Sequence, residues 1–549
     1  MTAWKQWYRG DEDAYEGRCK NSIEEILAEA EADPGERPLI TTLLPGGIAG
    51  QVSGVEFARQ SRRFGSYLRS TLGLASGEVI AIQAPNCLGY AICAVGALRA
   101  GLVVSNINPL YTPTETRTQL KDCGAETLVF CDLFANQVME ACKGTPVKRW
   151  IAISVTEGFS WPKRTLVRLI LRAKRELPKP ISAAVSLTHI VQSASGELPE
   201  EPSVLDTAML YQYSGGTTGR SKGVVITRGN LFSNLSQGTS LCPEVVAKRG
   251  RTSLLVMPMY HMFGLYMCLA TMMTGGHLVL VPNPRPLSIL KVAFDRYKPD
   301  VFPGVNTLFL KLMEEPWFQA NPPALEFTPT GATALDPEVG ERWEQLTGSF
   351  PVCNYGLTEA TTLLTSNPAD GRHRKGSVGI PLPGTTVSIL DVDGSEMPTD
   401  QPGEIVARGP QVAAGYLNRP DADSDTFALQ GLRTGDIGYL DKDGYLYIVD
   451  RKKDVILVSG FNVYPIEVET ALNEHPGVLE SGVVGHPSRD SGEKVVAYVV
   501  LRTSAVAFDE LDAWCRERLA AYKCPKEFHR LDELPKTPIG KVQRRALRS

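Results

Sequence analysis

The chain has 549 residues, 43% of them hydrophobic, with 57 Lys and Arg against 61 Asp and Glu for a net charge of −4. At about 100–200 residues per domain it is too long for one core, and the balanced charge argues against a dedicated nucleic-acid binder, which carries a strongly basic domain. Fifty Gly and 38 Pro are too few for a low-complexity chain, so a soluble, globular, multidomain protein is expected.

The N-terminal MTAWKQWYRGDEDAYEGR carries acids and lacks an apolar run, so no secretory signal is expected. From Gly54 to Leu280, helical patterns alternate with short apolar runs: FARQSRRFGSYLRSTLG, then EVIAIQA, GYAICAVGALRAG, LVVSNIN, LVFC, RWIAIS, LLVM and HLVLVP. Strands alternating with helices predict a mostly parallel sheet covered on both faces. Within this region Trp161–Pro180 holds seven basic residues and one acid. Arg164, Arg168, Arg172 and Arg175 share one helical face, with Leu166, Leu169, Ile170 and Leu177 largely away from it. This predicts a basic amphipathic helix, which either packs its apolar side on the sheet or docks reversibly on anionic lipid. Ser253 to Pro284 contains no charged side chain, but Pro258, His261 and Gly275–Gly276 break it into strand, loop, short helix and strand. A membrane-spanning helix needs about 20 uninterrupted apolar residues, so no span is expected.

After about Ile380, short alternating strands joined by Asp-Gly turns predict hairpins, and the last hundred residues return to an α+β pattern. The charged stretch Asp450–Lys453 between them reads as a boundary. The 11 cysteines are scattered with no C-x-x-C pair, which predicts reduced thiols in a cytoplasmic protein and no zinc site.

Four stretches carry chemistry. In YQYSGGTTGRSKG, Ser214, Gly215, Gly216, Thr217, Thr218, Gly219 and Lys222 supply backbone N–H groups, hydroxyls and a cation, a phosphate cradle that is not a Walker A loop because Gly223 follows the lysine. In NYGLTE, the Tyr355 ring can stack on a base, while Thr358 and Glu359 can reach a nucleotide-bound Mg²⁺. In RTGD, Asp436 can accept from ribose hydroxyls. In PKTPIGK, a Pro- and Gly-fixed loop presents Lys541. Each stretch alone also reads as an ordinary loop: a flexible turn with a solvated lysine, an exposed glutamate, a turn aspartate, a surface lysine.

Together and in this order, they resemble the adenylate-forming superfamily of acyl-CoA synthetases, adenylation domains and luciferases, from about Gly54 to the end. DRKKDVILVSGFNVYP is similar to that family's hinge and thioester-forming motif. NINPLYTP, PMYHMFGLY, PGVNTLF and ILVSGFNVYPIEVE are closest to bacterial long-chain fatty-acid–CoA ligases. Three positions depart from the family pattern: Ser221 in place of Pro, Asn354 in place of Gly, and Lys453 where many relatives carry Asp.

The resemblance implies a doubly wound α/β N-terminal domain with a small β-rich subdomain (1–450), a hinge (451–453) and a small mobile α+β domain (454–549). It implies ATP and coenzyme A as substrates and Mg²⁺ as cofactor. Thr217, Thr218 and Lys222 would hold the β- and γ-phosphates, and Glu359 the Mg²⁺. Asp436 would take the ribose with Arg451 nearby, while Gly331, Ala332, Thr333, Asn354, Tyr355 and Gly356 surround the adenine. Lys541 would bridge carboxylate and α-phosphate, with His261 beside the acyl carboxylate and Gly304 and Val305 in the acyl pocket. After rotation about Lys453, Gly460 would face the adenylate, flanked by Ser459 and Phe461 on the coenzyme A side. From Tyr522 to Ser549, eight basic residues against three acidic ones make either a site for coenzyme A phosphates or a solvated tail. Leu265, four residues past His261, leaves no aromatic gate in view there. The expected reaction is activation of a medium- or long-chain fatty acid. An aryl or short acid, a carrier-protein acceptor and a non-catalytic nucleotide-binding regulator are the alternatives; the chain ends nine residues after Gly540, which argues against an attached carrier domain.

Overall fold

A computed structural model of the chain describes residues 22–32, 37–199, 204–214, 221–391, 393–458, 461–488, 491–502, 506–536 and 542–548. Its largest sheet has eight strands among these residues, in the order Gly415–Tyr416, Lys222–Thr227, Ala208–Ser214, Val103–Ile107, Val79–Gln83, Thr127–Cys131, Arg149–Ile153 and Val185–Ser186. From Ala208–Ser214 onward every pairing is parallel, while the first two strands join antiparallel. Strands Val103–Ile107 and Thr127–Cys131 are buried throughout, as parallel strands covered on both faces must be. Helix boundaries follow local chemistry. In helix Pro113–Cys123, Thr112 and Glu115 form a reciprocal cap, proline opens the first turn, and Gly124 ends it in the left-handed region at φ 68°.

A second set of parallel segments runs through Thr252–Leu255, residues 301–304, Thr328–Thr330 and Pro351–Tyr355. Their carboxyl ends release, in turn, the loop to His261, Val305, Gly331–Thr333 and Gly356. Ligands of open α/β sheets bind outside carboxyl ends of this kind. Antiparallel strands Thr386–Leu390, Gly403–Arg408, Gly431–Leu440 and Leu446–Arg451 form the β-rich part. The chain turns at residues 452–454 and enters a separate sheet at Ile456–Val458. That sheet and helices Pro465–Asn473 and Phe508–Arg518 close on their own core, which includes Val463, Val468, Leu472, Val483, Val495 and Leu511. The molecule is thus mixed α/β, with a large N-terminal and a small C-terminal domain.

No described helix is long and apolar enough to cross a membrane. The uncharged stretch forms strand Thr252–Leu255, helix Met262–Met273 and strand His277–Leu280, as its breaks predict. The basic helix departs from expectation. It spans Trp161–Ala173, so Arg175, at φ 58°, and Leu177 lie beyond it. Its apolar side packs only in part: Val167 is buried and Leu171 lies against the core, while Trp161 is 78% exposed, Leu169 56% and Leu166 50%. The arginine face is turned partly inward, where Arg168 reaches Asp132 at 3.3 Å.

Candidate active site

The carboxyl ends of the second parallel set line a cleft of about 2890 Å³. It gathers Val305, Gly331, Ala332, Thr333, Asn354, Tyr355, Gly356, Asp436 and Arg451 from well-separated stretches of sequence. Asp436 is buried and held from two sides. The Tyr355 hydroxyl donates to Oδ2 at 2.6 Å, and Arg451 Nε meets Oδ1 at 2.5 Å. This works because Asp436 and Arg451 face each other on antiparallel strands. Burial and the adjacent carboxylate push the Tyr355 phenol well above its ordinary value, so it stays a donor.

Ala332 sits at φ 65°, uncommon for a residue with a Cβ, and Thr333 buries a hydroxyl oxygen with no hydrogen-bond partner among the described residues. Strain and an orphaned polar atom side by side mark a place built for something else to fill. Gly356 is sterically required, since a Cβ there would lie 1.9 Å from the Thr362 carbonyl oxygen. Asn354 uses its amide to donate to the Thr330 and Val352 carbonyls at 3.1 and 2.8 Å, tying the two strands that carry Gly331 and Tyr355.

A second constellation surrounds Glu359, which lies in the short helical turn Thr358–Ala360 and is 9% exposed. Ser214 and Tyr416 hydroxyls both donate to its Oε1, at 3.2 and 2.8 Å, which leaves Oε2 outside these bonds. Lys222 Nζ stands 4.6 Å from the Tyr416 ring centre. A buried carboxylate with hydroxyl support and one oxygen to spare has the hard-oxygen chemistry that Mg²⁺ prefers. Ser214 and Lys222 pair across a hairpin, and the Ser221 hydroxyl donates to the Ser214 carbonyl at 2.7 Å, so the departure from proline adds a tie across the loop mouth. Gly215, Gly216, Thr217, Thr218, Gly219, Ser459, Gly460 and Lys541 lie outside the described residues. Phe461 begins strand Phe461–Val463.

His261 stands at the residue before helix Met262–Met273, its ring 5.0 Å from that of Tyr260, and burial pushes its imidazole down to about 4, so it is neutral near pH 7. Gly304 stands against the Phe309 ring. Neither these two residues nor Val305 lines the second, narrower cavity of about 70 Å³ beside the same helix. That cavity is walled by Phe263, Tyr266, Met267, Ala270, Thr271 and Thr274, with Asn354 common to it and the main cleft. The spacing i, i+3, i+4, i+7, i+8, i+11 is one helical face. It turns Leu265 into the core at 2% exposure and presents the aromatic Phe263 and Tyr266 instead. The expectation based on position 265 therefore misses the aromatic wall.

Two further features escape sequence inspection. Tyr416 has no local motif, and only the pairing of Gly415–Tyr416 with Val224–Val225 brings it to Glu359. In the basic C-terminal tail, Arg544 meets Glu469 at 2.7 Å and Asp450 and Asp454 at 3.4 Å, while Arg548 meets Asp454 at 3.0 Å. That share of the tail's charge is answered within the chain.

The family model of AMP-binding enzymes matches residues 28–417, and that of the AMP-binding enzyme C-terminal domain matches 467–541. A long-chain-fatty-acid–CoA ligase from Yersinia pestis is 41% identical over 89% of this chain and 88% of its own length. Another from Haemophilus influenzae is 36% identical over 99% of this chain and 98% of its own. Among solved structures, ATP-bound MatB from Rhodopseudomonas palustris superposes with a TM-score of 0.82 at 27% identity, covering 96% of this chain and 98% of that one.

Proposed function

The chain belongs to the AMP-binding enzyme family of adenylate-forming ligases, and on that footing we propose that it joins a medium- or long-chain fatty acid to coenzyme A with ATP, releasing AMP and pyrophosphate. A carboxylate acylates poorly because its leaving group would be oxide or hydroxide. Here a carboxylate oxygen attacks the α-phosphorus of ATP, forming the acyl-adenylate as the bond to pyrophosphate breaks. The thiolate of coenzyme A then attacks the acyl carbon and AMP leaves. Positioning and charge neutralisation do most of this work.

Asp436 accepts from the ribose hydroxyls while Tyr355 and Arg451 hold it in place. Gly331, Ala332 and Thr333 and the Tyr355 ring take the adenine. Thr217, Thr218 and Lys222 hold the outer phosphates, and Glu359 holds Mg²⁺, which when bound neutralises phosphate charge. Lys541 brings carboxylate and α-phosphate together, and neutral His261 orients the carboxylate without competing for its charge. The narrow cavity along Met262–Met273 takes the acyl tail. Rotation about Lys453 then replaces Lys541 with the Gly460 loop for the thiol step. The observation that carries the nucleotide reading is the doubly held Asp436 sharing one cleft with the orphaned Thr333 hydroxyl. The test is ATP–pyrophosphate exchange with C4 to C18 acids, followed by consumption of coenzyme A. Exchange without thiol consumption indicates a carrier-protein acceptor, exchange with aromatic acids alone an aryl ligase, and no exchange with any acid overturns the proposal.

The exposed helix Trp161–Ala173 supports reversible contact with anionic lipid. Trp161, Leu166, Leu169 and Ile170 face outward beside Lys163 and Arg172, and each basic residue near such a surface contributes about 1 kcal/mol. Its inner residues Val167 and Leu171 border the main cleft, which suits delivery of a lipid-dissolved acid. Co-sedimentation with anionic liposomes should be strong at low salt, weak at high salt, and lost in a Leu166→Ser/Leu169→Ser variant; equal pelleting of wild type and variant would rule the contact out.

A further inference from the structure

The narrow cavity ends on charge. Helix Met262–Met273 advances about 1.5 Å per residue, so Phe263 to Thr274 covers about 16 Å. An extended carbon chain, with bonds of about 1.52 Å and angles near 111°, gains about 1.25 Å per bond, so about thirteen bonds fill that length. At the near end stand Phe263 and Asn354. At the far end, where Gly250 donates its N–H to the Thr274 carbonyl at 3.2 Å, the wall is formed by Lys248 and Arg251. A tail of pure hydrocarbon has no use for either.

Arg251 is short of partners. Its side chain is 7% exposed, and its Nη1 is buried without a hydrogen bond. The nearest carboxylate oxygen, Glu326 Oε2, is 3.8 Å away and already accepts from Lys248 Nζ at 2.7 Å. Asp300 spends one carboxylate oxygen on the Thr252 backbone N–H at 2.8 Å. Neither acid lines the cavity, whose wall carries two cations and no carboxylate. Burial also pulls the Arg251 guanidinium below its ordinary value, the mark of a charge lacking full compensation.

Resting on the ligase reading, we propose that the enzyme accepts long-chain acids bearing an anionic oxygen group at the far end, α,ω-dicarboxylic acids of about sixteen carbons, and that Arg251, with Lys248, selects them. One carboxylate reaches the nucleotide and reacts. The other lies at Arg251 and takes the hydrogen bond that Nη1 lacks. An apolar wall admits the methylenes of diacid and monoacid alike, so discrimination comes from the far end alone. A charge-assisted hydrogen bond to a buried guanidinium corresponds to roughly a 10- to 100-fold preference.

The test compares hexadecanoic, 16-hydroxyhexadecanoic and hexadecanedioic acids, as kcat/KM in thioester formation and as Kd by calorimetry. The wild type should prefer the diacid to the plain acid by about tenfold or more. Arg251→Met should lower the diacid-to-plain ratio about tenfold or more by both readouts, and Arg251→Lys should restore most of it. Lys248→Gln, at an exposed side chain where folding is not at stake, should lower the same ratio severalfold. A ratio that no variant moves overturns the proposal, as does a loss that is equal for the hydroxy acid. Because binding is read separately from turnover, a protein that binds the diacid through Arg251 but forms no thioester fails the ligase reading while upholding Arg251 as the site of the distal carboxylate.

Discussion

Asp436 carries its two bonds before any nucleotide arrives, so its charge is oriented in advance. Asp436→Asn keeps the shape but gives up the anion that Arg451 faces. Charge-assisted hydrogen bonds contribute about 1.5–3 kcal/mol, so kcat/KM for ATP should fall roughly 10- to 100-fold, read by pyrophosphate exchange at varied ATP. Lys541→Ala should lower adenylation about 100-fold or more, as loss of a charge-stabilising group does, while thioester formation from pre-made acyl-adenylate is largely spared. Equal damage to both half-reactions would mean that the lysine is not specific to the first. His277 tests a different point. Its Nε2 lies 2.8 Å from the Thr41 hydroxyl, and burial pushes its imidazole down to about 4 from the ordinary 6.5 or so. The unfolded chain therefore takes up the proton first. Stability should fall as pH drops from about 6.5 to 4, by about 1–3 kcal/mol, and His277→Gln should flatten that part of the curve. Urea midpoints at pH 7 and 4.5 for wild type and variant would measure it.

At the scale of elements, the short C-terminal helix Arg544–Leu547 acts as a clasp. Arg544 joins Glu469 of helix Pro465–Asn473 to Asp450 on the last strand of the β-rich part and to Asp454 past the turn. Burial raises the Asp450 and Glu469 carboxyls and the guanidinium opposes it, so these two depend on the Arg544 cation. Breaking a buried ion pair from one side costs about 3–5 kcal/mol. Arg544→Met should therefore loosen the C-terminal domain, seen as faster hydrogen exchange in strand Val478–Ser488 with the eight-stranded sheet unaffected. The pocket helix makes the complementary point about packing. Gly238 has no room for a Cβ, which would fall 1.8 Å from the Tyr266 hydroxyl, so the aromatic wall rests on a neighbouring helix shaved to glycine.

Over the whole molecule, the turn at residues 452–454 is where the chain passes from the β-rich part to the sheet of the C-terminal domain. A reaction with two chemically distinct half-steps needs either two sites or one site with two lids, and a single cleft bordered by both domains favours the second. Lys453→Pro fixes φ near −65° and removes a backbone donor. Adenylation should stay measurable and the thioester step should fall by at least tenfold, read by single-turnover release of AMP with and without coenzyme A. An unchanged overall rate would place the pivot at another residue.

The alternation of apolar runs with helical patterns determined the eight-stranded sheet, and the broken uncharged stretch determined strand, helix and strand, because burial on both faces and the periods 2 and 3.6 are written in neighbouring residues. Tyr355, Glu359 and Asp436 stood out as candidates because each sits in a short stretch whose residue types serve one chemistry, and the fold brings Tyr355 to Asp436. What neighbours cannot specify was decided by the tertiary fold. Tyr416 meets Glu359 through a strand pairing almost two hundred positions apart in the chain, a separation that no local motif spans. Arg168 of the basic helix lies against Asp132, thirty-six positions earlier, while Trp161, Leu166 and Leu169 stay in solvent. Arg251 became short of partners only when Lys248 took Glu326. In each case the deciding quantity is which groups share the supply of partners at one point in space, and that is a property of the packed chain rather than of any stretch of it.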